Sequence, residues 1–223
     1  MKKVTKIAIF IFFPFLSISC IGISSDIRMK KDGSGRITLE YRYMRKLESI
    51  GRLDGNENWP IIPAGKRDIE RTTARITGLK LVSYSSRETA SQTNADKDIL
   101  TKITLDFNTT RALLDFLDPA NEKTAYIQNG NTNMLNIILI RPVSSGIDPE
   151  LINLLRGVSE RYQFKFNFSA DKNINLAFTD GAGKLISAPA GAETVSSGRK
   201  VSFIVNTVDF FNYPQGFGVA LSW

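Results

Sequence analysis

The sequence predicts an α+β fold, a mainly antiparallel sheet with a few helices packed on one face. Three observations carry that expectation. Stretches in which apolar and polar residues alternate outnumber stretches of helical period. Tight Asp-Gly turns join neighbouring alternating stretches, which favours antiparallel pairing. No repeat of about 20 to 50 residues, the mark of a solenoid, is visible.

The first elements are strands at 25–31 and 36–44, read as a hairpin. In the second strand Ile37, Leu39, Tyr41 and Tyr43 alternate with Thr38, Glu40 and Arg42, so one face is apolar. The link between them, "DGSG" at 32–35, has a counterpart in "DGAG" at 180–183. The counterpart ends in Gly-Lys, as a phosphate-binding loop does. Such a loop also needs a glycine five places before its last one and a Ser or Thr after the Lys, where this chain has Phe178 and Leu185. Both stretches are therefore read as hairpin turns, with Asp-Gly bending the chain and the second glycine taking the left-handed conformation.

A short helix through Leu47 and Ile50 comes next, then the loop "DGNENWPIIPAG", made unusually apolar by Trp59, Ile61 and Ile62. A helix is predicted over 66–77. Ile69, Thr73 and Ile76 share one face, Arg67, Arg71 and Arg75 recur every fourth place on the other, and Gly78 stops it. Strands at 79–86 and 98–107 flank the polar "SRETASQTNADKD", read as an exposed loop. Asn108 is the expected cap of a short helix carrying Leu113, Leu114 and Leu117, which Pro119 ends.

Strands at 124–128 and 134–141 pair across "NGNTN". A helix over 149–162 has Asp148 as its cap, Pro149 in its first turn and Leu151, Leu155, Val158 and Tyr162 as its buried stripe. Beyond it "QFKFNFSA" alternates phenylalanine with polar residues, strands are predicted at 174–178, 184–187 and 200–208, and "FGVALSW" alternates again.

The chain of 223 residues contains no histidine. That excludes Ser-His-Asp and Cys-His catalysis and imidazole metal sites, while Asp115 and Asp118 fall in helix and turn contexts. The expectation is a non-enzymatic protein without catalytic residues, metal or cofactor. Acids and bases interleave along the chain, and no nucleic-acid-binding signature is present. With 42% hydrophobic and 23% charged residues, the composition is that of a folded chain.

The start of the chain has its own character. Lys2, Lys3 and Lys6 precede an apolar run at 7–16, and Ser17, Ile18 and Ser19 lead to Cys20, the only cysteine. This is the three-part layout of a secretory signal, and its apolar run is shorter than the ~20 residues a membrane-spanning helix needs. The organisation expected is a signal peptide at 1–19, a short tether at 20–25 and one α+β domain at 26–223, with a change of character near Ser144 as the place where it could divide. Taking residues 1–19 from 223 leaves 204, and losing three lysines lowers the net charge from +7 to +4.

An export signal ending on a lone cysteine resembles that of bacterial lipoproteins, whose cysteine is diacylated. Leu16 stands one place before the usual branched position, which Ser17 occupies, and Ser19 precedes Cys20, a form that resembles the looser signals of spirochaetal lipoproteins. The segment "DIRMKKDGSGRITLEYRYMRKLESIG" at 26–51 resembles the opening of uncharacterised spirochaetal lipoproteins and, more distantly, LppM-like bacterial lipoprotein domains. These resemblances imply acylation (palmitate included) at Cys20, attachment to a bilayer of the cell envelope at the periplasmic face or cell surface, and a domain that binds lipid. Two functional expectations follow. One is a module that binds an amphiphile or a lipid or envelope component, with Trp59, Ile61, Ile62, Arg67, Arg71 and Arg75 as contact residues. The other is a structural or assembly lipoprotein that contacts another envelope protein through a sheet edge.

Overall fold

The structure is a computed structural model that describes residues 21–45, 65–90, 97–128, 134–140, 156–157 and 160–223. In chain order its elements are β1 (Ile21–Met29), β2 (Gly35–Met44), α1 (Lys66–Arg75), β3 (Leu79–Ala90), β4 (Lys97–Phe107), α2 (Thr110–Leu117), β5 (Ala125–Gln128), β6 (Met134–Ile140), β7 (Gln163–Ser169), β8 (Asn175–Thr179), β9 (Leu185–Ile186), β10 (Glu193–Ser197), β11 (Lys200–Asn206), a 3₁₀ turn (Thr207–Asn212) and β12 (Phe217–Ser222).

The strands form two sheets, one of seven strands in the order β10-β11-β7-β1-β2-β4-β3 and one of five in the order β5-β6-β12-β8-β9. All neighbours are antiparallel except β1 and β7, which run parallel. The protein is thus mainly β, not the α+β arrangement that the sequence predicts. α1 and α2 are the α-helices whose whole ranges lie among the described residues, and a second sheet shares the covering role assigned to helices. Alternation reveals that a strand buries one face, but it does not say which sheet the strand joins, and here β5, β6, β8, β9 and β12 join a sheet of their own.

Aromatic side chains fasten the two sheets together. Phe203 on β11 stacks on Phe164 and Phe166 of β7 at 5.7 and 5.5 Å and meets the five-stranded sheet edge-on through Phe178 of β8 at 5.4 Å and Phe217 of β12 at 6.2 Å. Phe210 of the 3₁₀ turn touches Phe164 and Phe217, and Trp223 lies 5.6 Å from Phe168. Around them Ile27, Ile37, Ile103, Leu105, Leu113, Leu135, Val201 and Leu221 are fully buried in one continuous core. Each aromatic pair contributes about 0.5–1.5 kcal/mol beyond the area it buries.

Several predicted elements shift. The polar insert at 86–98 largely extends the strands, since Ser86 to Ala90 pair with Thr101 to Lys97 and only 91–96 lie outside the described residues. Thr109, not Asn108, caps α2, its hydroxyl accepting from the Ala112 N–H at 3.1 Å. Asn108 instead donates its backbone N–H to Gly78, whose φ of +86° makes glycine the favoured residue there. The helix through Leu47 and Ile50 and most of the helix at 149–162 lie outside the described residues; within them Arg156 and Gly157 are helical, and Tyr162 already leads into β7.

The two Asp-Gly turns share one geometry in different frames. In the first, the Gly33 N–H donates to Lys30 and the Lys30 N–H to Ser34; in the second, the Gly183 N–H donates to Asp180 and the Asp180 N–H to Lys184. Gly33 therefore corresponds to Gly183, with φ of +81° and +83°. The second glycine is left-handed in "DGAG", as expected, but in "DGSG" it is the first. Gly35 is a strand residue with no positive φ, and a Cβ there would lie 2.1 Å from the Arg28 carbonyl oxygen and 2.5 Å from the Phe107 ring.

Gly35→Ala and Gly35→Val should therefore both destabilise the fold, by about 3 kcal/mol in the larger case, because the collision begins at Cβ. Gly157→Ala, with nothing within 4 Å of its added carbon, should not destabilise it. Urea midpoints of the three variants check this, and a wild-type midpoint for Gly35→Ala would contradict it.

Candidate functional site

The core-facing surface of the seven-stranded sheet changes chemistry along its length. Strand pairing aligns Leu39 with Ile103 and Ile103 with Tyr84 near the middle. One row further, Ile23 lies opposite Tyr41, Tyr41 opposite Thr101, and Thr101 opposite Ser86. Next come Tyr43, Ile99 and Glu88. Residues two apart in a strand share a face, so Lys97, at the start of β4, completes the series at the sheet's end, and Arg45, just past β2, joins it through its ion pair with Glu88.

Tyr43 and Ile99 form a small buried cluster apart from the main core, with Ile23 and Tyr41 packed against it while still touching solvent. Burial nonetheless pushes the Tyr41 phenol up to about 12, because a phenolate there would lose most of its hydration. The hydroxyls of Thr101, fully buried, and Ser86 lie 3.1 Å apart. At the end row Glu88 accepts from Lys97 Nζ at 2.8 Å and from the Arg45 guanidinium. The Lys97 hydrogen bond first, with both cations adding, holds the Glu88 carboxyl below the ordinary range against the burial that would raise it. The side chains of Arg45 and Lys97 remain 58% and 65% exposed.

The opposite face keeps this end in register. Arg42 of β2 donates to Asp98 of β4 at 2.8 Å and to the Ala90 carbonyl of β3 at 2.8 Å, tying three strands together. Asp98 is 1% exposed, and its second carboxylate oxygen has no partner. Removing Arg42 would leave a buried charge uncompensated.

The structure gathers few of the residues the sequence singled out. Cys20, Trp59, Ile61 and Ile62 lie outside the described residues. Arg67, Arg71 and Arg75 stand exposed on α1, whose buried residue is Ile69, and Arg71 lies 3.7 Å from Asp68. That helix leads through Gly78 into Leu79, at the end of β3 paired with Phe107. Glu88 is on the same strand roughly 30 Å further along at 3.3 Å per residue, so α1 joins the sheet at the end away from Arg45 and Lys97.

The two carboxylates that the sequence places in helix and turn contexts, Asp115 and Asp118, have structural partners. Asp115 pairs with Arg111 at 2.8 Å. Asp118 accepts from the Glu122 N–H at 2.9 Å and the Thr124 hydroxyl at 2.8 Å, closing the link from α2 to β5. Burial disfavours its ionisation, yet these bonds and the neighbouring N–H groups prevail and hold the carboxyl below the usual range. Among the described residues no group of three or more His, Cys, Asp or Glu could hold a metal ion, and no helix is long and apolar enough to cross a membrane.

Sequence reading placed Tyr41 and Tyr43 on one face but missed Arg45, Glu88 and Lys97, because their meeting depends on the register of β2, β3 and β4. The one signal available was that Arg45 continues the spacing of Tyr41 and Tyr43.

No protein-family model matches this chain, and no curated protein does either. Among solved structures, the folded domain of Mycobacterium tuberculosis LppM is similar to it over 91% of this chain and 89% of that one, with 9% identity and a TM-score of 0.40. The resemblance to spirochaetal lipoproteins has no counterpart in these comparisons.

The raised Tyr41 value sets the sign of an alkaline effect. An unfolded tyrosine ionises near 10, so the folded state holds its proton longer. The associated stability is complete below about pH 10 and is lost as pH rises through the folded value. Tyr41→Phe should therefore remove part of the decline in urea midpoint from about pH 10 to 12; parallel declines in both proteins would contradict it.

Proposed function

We propose that this protein is a membrane-anchored lipoprotein of the cell envelope, acylated at Cys20, that binds an amphiphile without catalysing a reaction. The signal-like start of the chain supports the anchor. The observation that carries the binding reading is the gradient on the seven-stranded sheet, from Arg45 and Lys97 through Tyr43 and Tyr41 to Leu39 and Ile103. A ligand with a polar head and an apolar tail matches this order of residues; Tyr43, Leu39 and Ile103 are buried, and Ile23, Tyr41 and Tyr84 retain the solvent contact through which it would be received. Arg67, Arg71 and Arg75 stand exposed at the other end of β3, away from this strip, and take no part in this reading.

A second reading has its own observation. β10 is an edge strand whose residues are all exposed, Val195 by 61%, and whose pairing with β11 has no bulge. An uncovered edge of this kind accepts an extended segment of another protein as an added strand, so contact with an envelope partner would occur there.

Labelling with an alkyne fatty acid should mark the wild type and not Cys20→Ala, and equal labelling of both would remove the anchor. Mass spectrometry of solvent extracts should find lipid above background with the wild type and less with Ile23→Lys. Extracts without lipid, together with a single protein cross-linked through position 195, would replace the binding reading with the second one.

A further inference from the structure

The end row of the strip lies close to the proposed anchor. Ile21, the residue bonded to Cys20, already pairs with Tyr43, and consecutive Cα atoms are about 3.8 Å apart. Residues 21–25 of the expected tether are thus strand residues of β1, and no spacer separates the proposed anchor from the sheet. The opposite end, at Met29, Gly35, Phe107 and Leu79, points the other way along the same strands.

Charge adds a second constraint. Among the described residues of the strip's face, Arg45 and Lys97 share the carboxylate of Glu88, leaving one positive charge in excess. On the reverse face Arg42 and Asp98 pair with each other. The excess charge borders Tyr43 and Ile99, where the apolar rows begin.

We infer that this end of the seven-stranded sheet rests on the leaflet that holds the anchor, and that the strip takes from that leaflet a lipid with one negative charge in its head. The head lies at Arg45 and Lys97, and an acyl chain runs inward past Ile23 and Tyr41. The inference rests on the reading above, which supplies the acylated cysteine and the strip as ligand site. Charge complementarity assigns the head, and the missing spacer assigns the source.

The test uses the full-length acylated protein in phosphatidylcholine vesicles containing a photoactivatable phosphatidylglycerol or, separately, a photoactivatable phosphatidylcholine. Irradiation and peptide mass spectrometry should place the anionic probe on β1, β2 and β4 more strongly than the zwitterionic one. Arg45→Gln and Lys97→Gln, both at exposed side chains, should each lower the anionic labelling by up to about fivefold. Glu88→Gln should raise it. A flexible Gly-Ser spacer of about ten residues between Cys20 and Ile21 should weaken labelling by both probes, because it lets the domain leave the surface.

Equal labelling by the two probes would overturn the head assignment and leave the amphiphile reading in place. Labelling unaffected by the spacer, or matched by a photoactivatable fatty acid given in solution to Cys20→Ala, would overturn the leaflet as source. If neither probe marks the strip and solvent extracts contain no lipid, the underlying reading falls with the inference.

Discussion

The structure depends on how the apolar face of the seven-stranded sheet is covered. That face runs from Val201, Phe203 and Val205 on β11 to Leu79 and Leu81 on β3, and leaving it in water would forgo about 25 cal/mol for each Å² of apolar surface. The five-stranded sheet docks through Phe178 and Phe217 on Phe203, over the β7–β11 side. On the other side Ile69 of α1 and Ala112 and Leu113 of α2 belong to the same core. The row of Ile23, Tyr41 and Ser86 is less completely covered, and there the aliphatic side chains give way to tyrosine and hydroxyl groups. The candidate site arises where the covering layer thins.

Much of the local structure was legible in the sequence because it obeys short-range rules. The β1–β2 hairpin, α2, the β5–β6 pair across "NGNTN" and the phenylalanine-rich β7 are elements whose period or turn chemistry identifies them. The covering sheet was not legible, because its assembly is set by non-local contacts such as Phe178 with Phe203, and alternation is silent about them. Composition also misled at 86–98. Arg87, Glu88 and Lys97 suggested a solvated loop, yet they lie on paired strands, where the ion pair of Glu88 with Lys97 offsets the poor strand propensity of those two residues.

The glycine turns illustrate the same limit at smaller scale. "DGSG" and "DGAG" look equivalent, and both are hairpin turns, but the hydrogen bonds place Gly33 and Gly183 at matching positions. In the first turn the second glycine, Gly35, lies in β2, where Phe107 and the Arg28 carbonyl leave no room for a Cβ. One glycine is required by backbone conformation and the other by a neighbour, and the string alone does not distinguish these causes.

The position of β1 links the architecture to the proposed role. β1 pairs with β2 over Ile21 to Met29 and with β7 over Ile23 to Arg28, so it lies within the sheet and not at an edge. A strand held on both sides cannot peel away without breaking two ladders, whereas an edge strand would break one. An anchor attached to such a strand transmits position, and with no spacer before Ile21 the rows of Tyr43, Arg45 and Lys97 keep a constant distance from the attachment point. The parallel pairing with β7, the one exception to the antiparallel pattern, is what puts β1 inside the sheet.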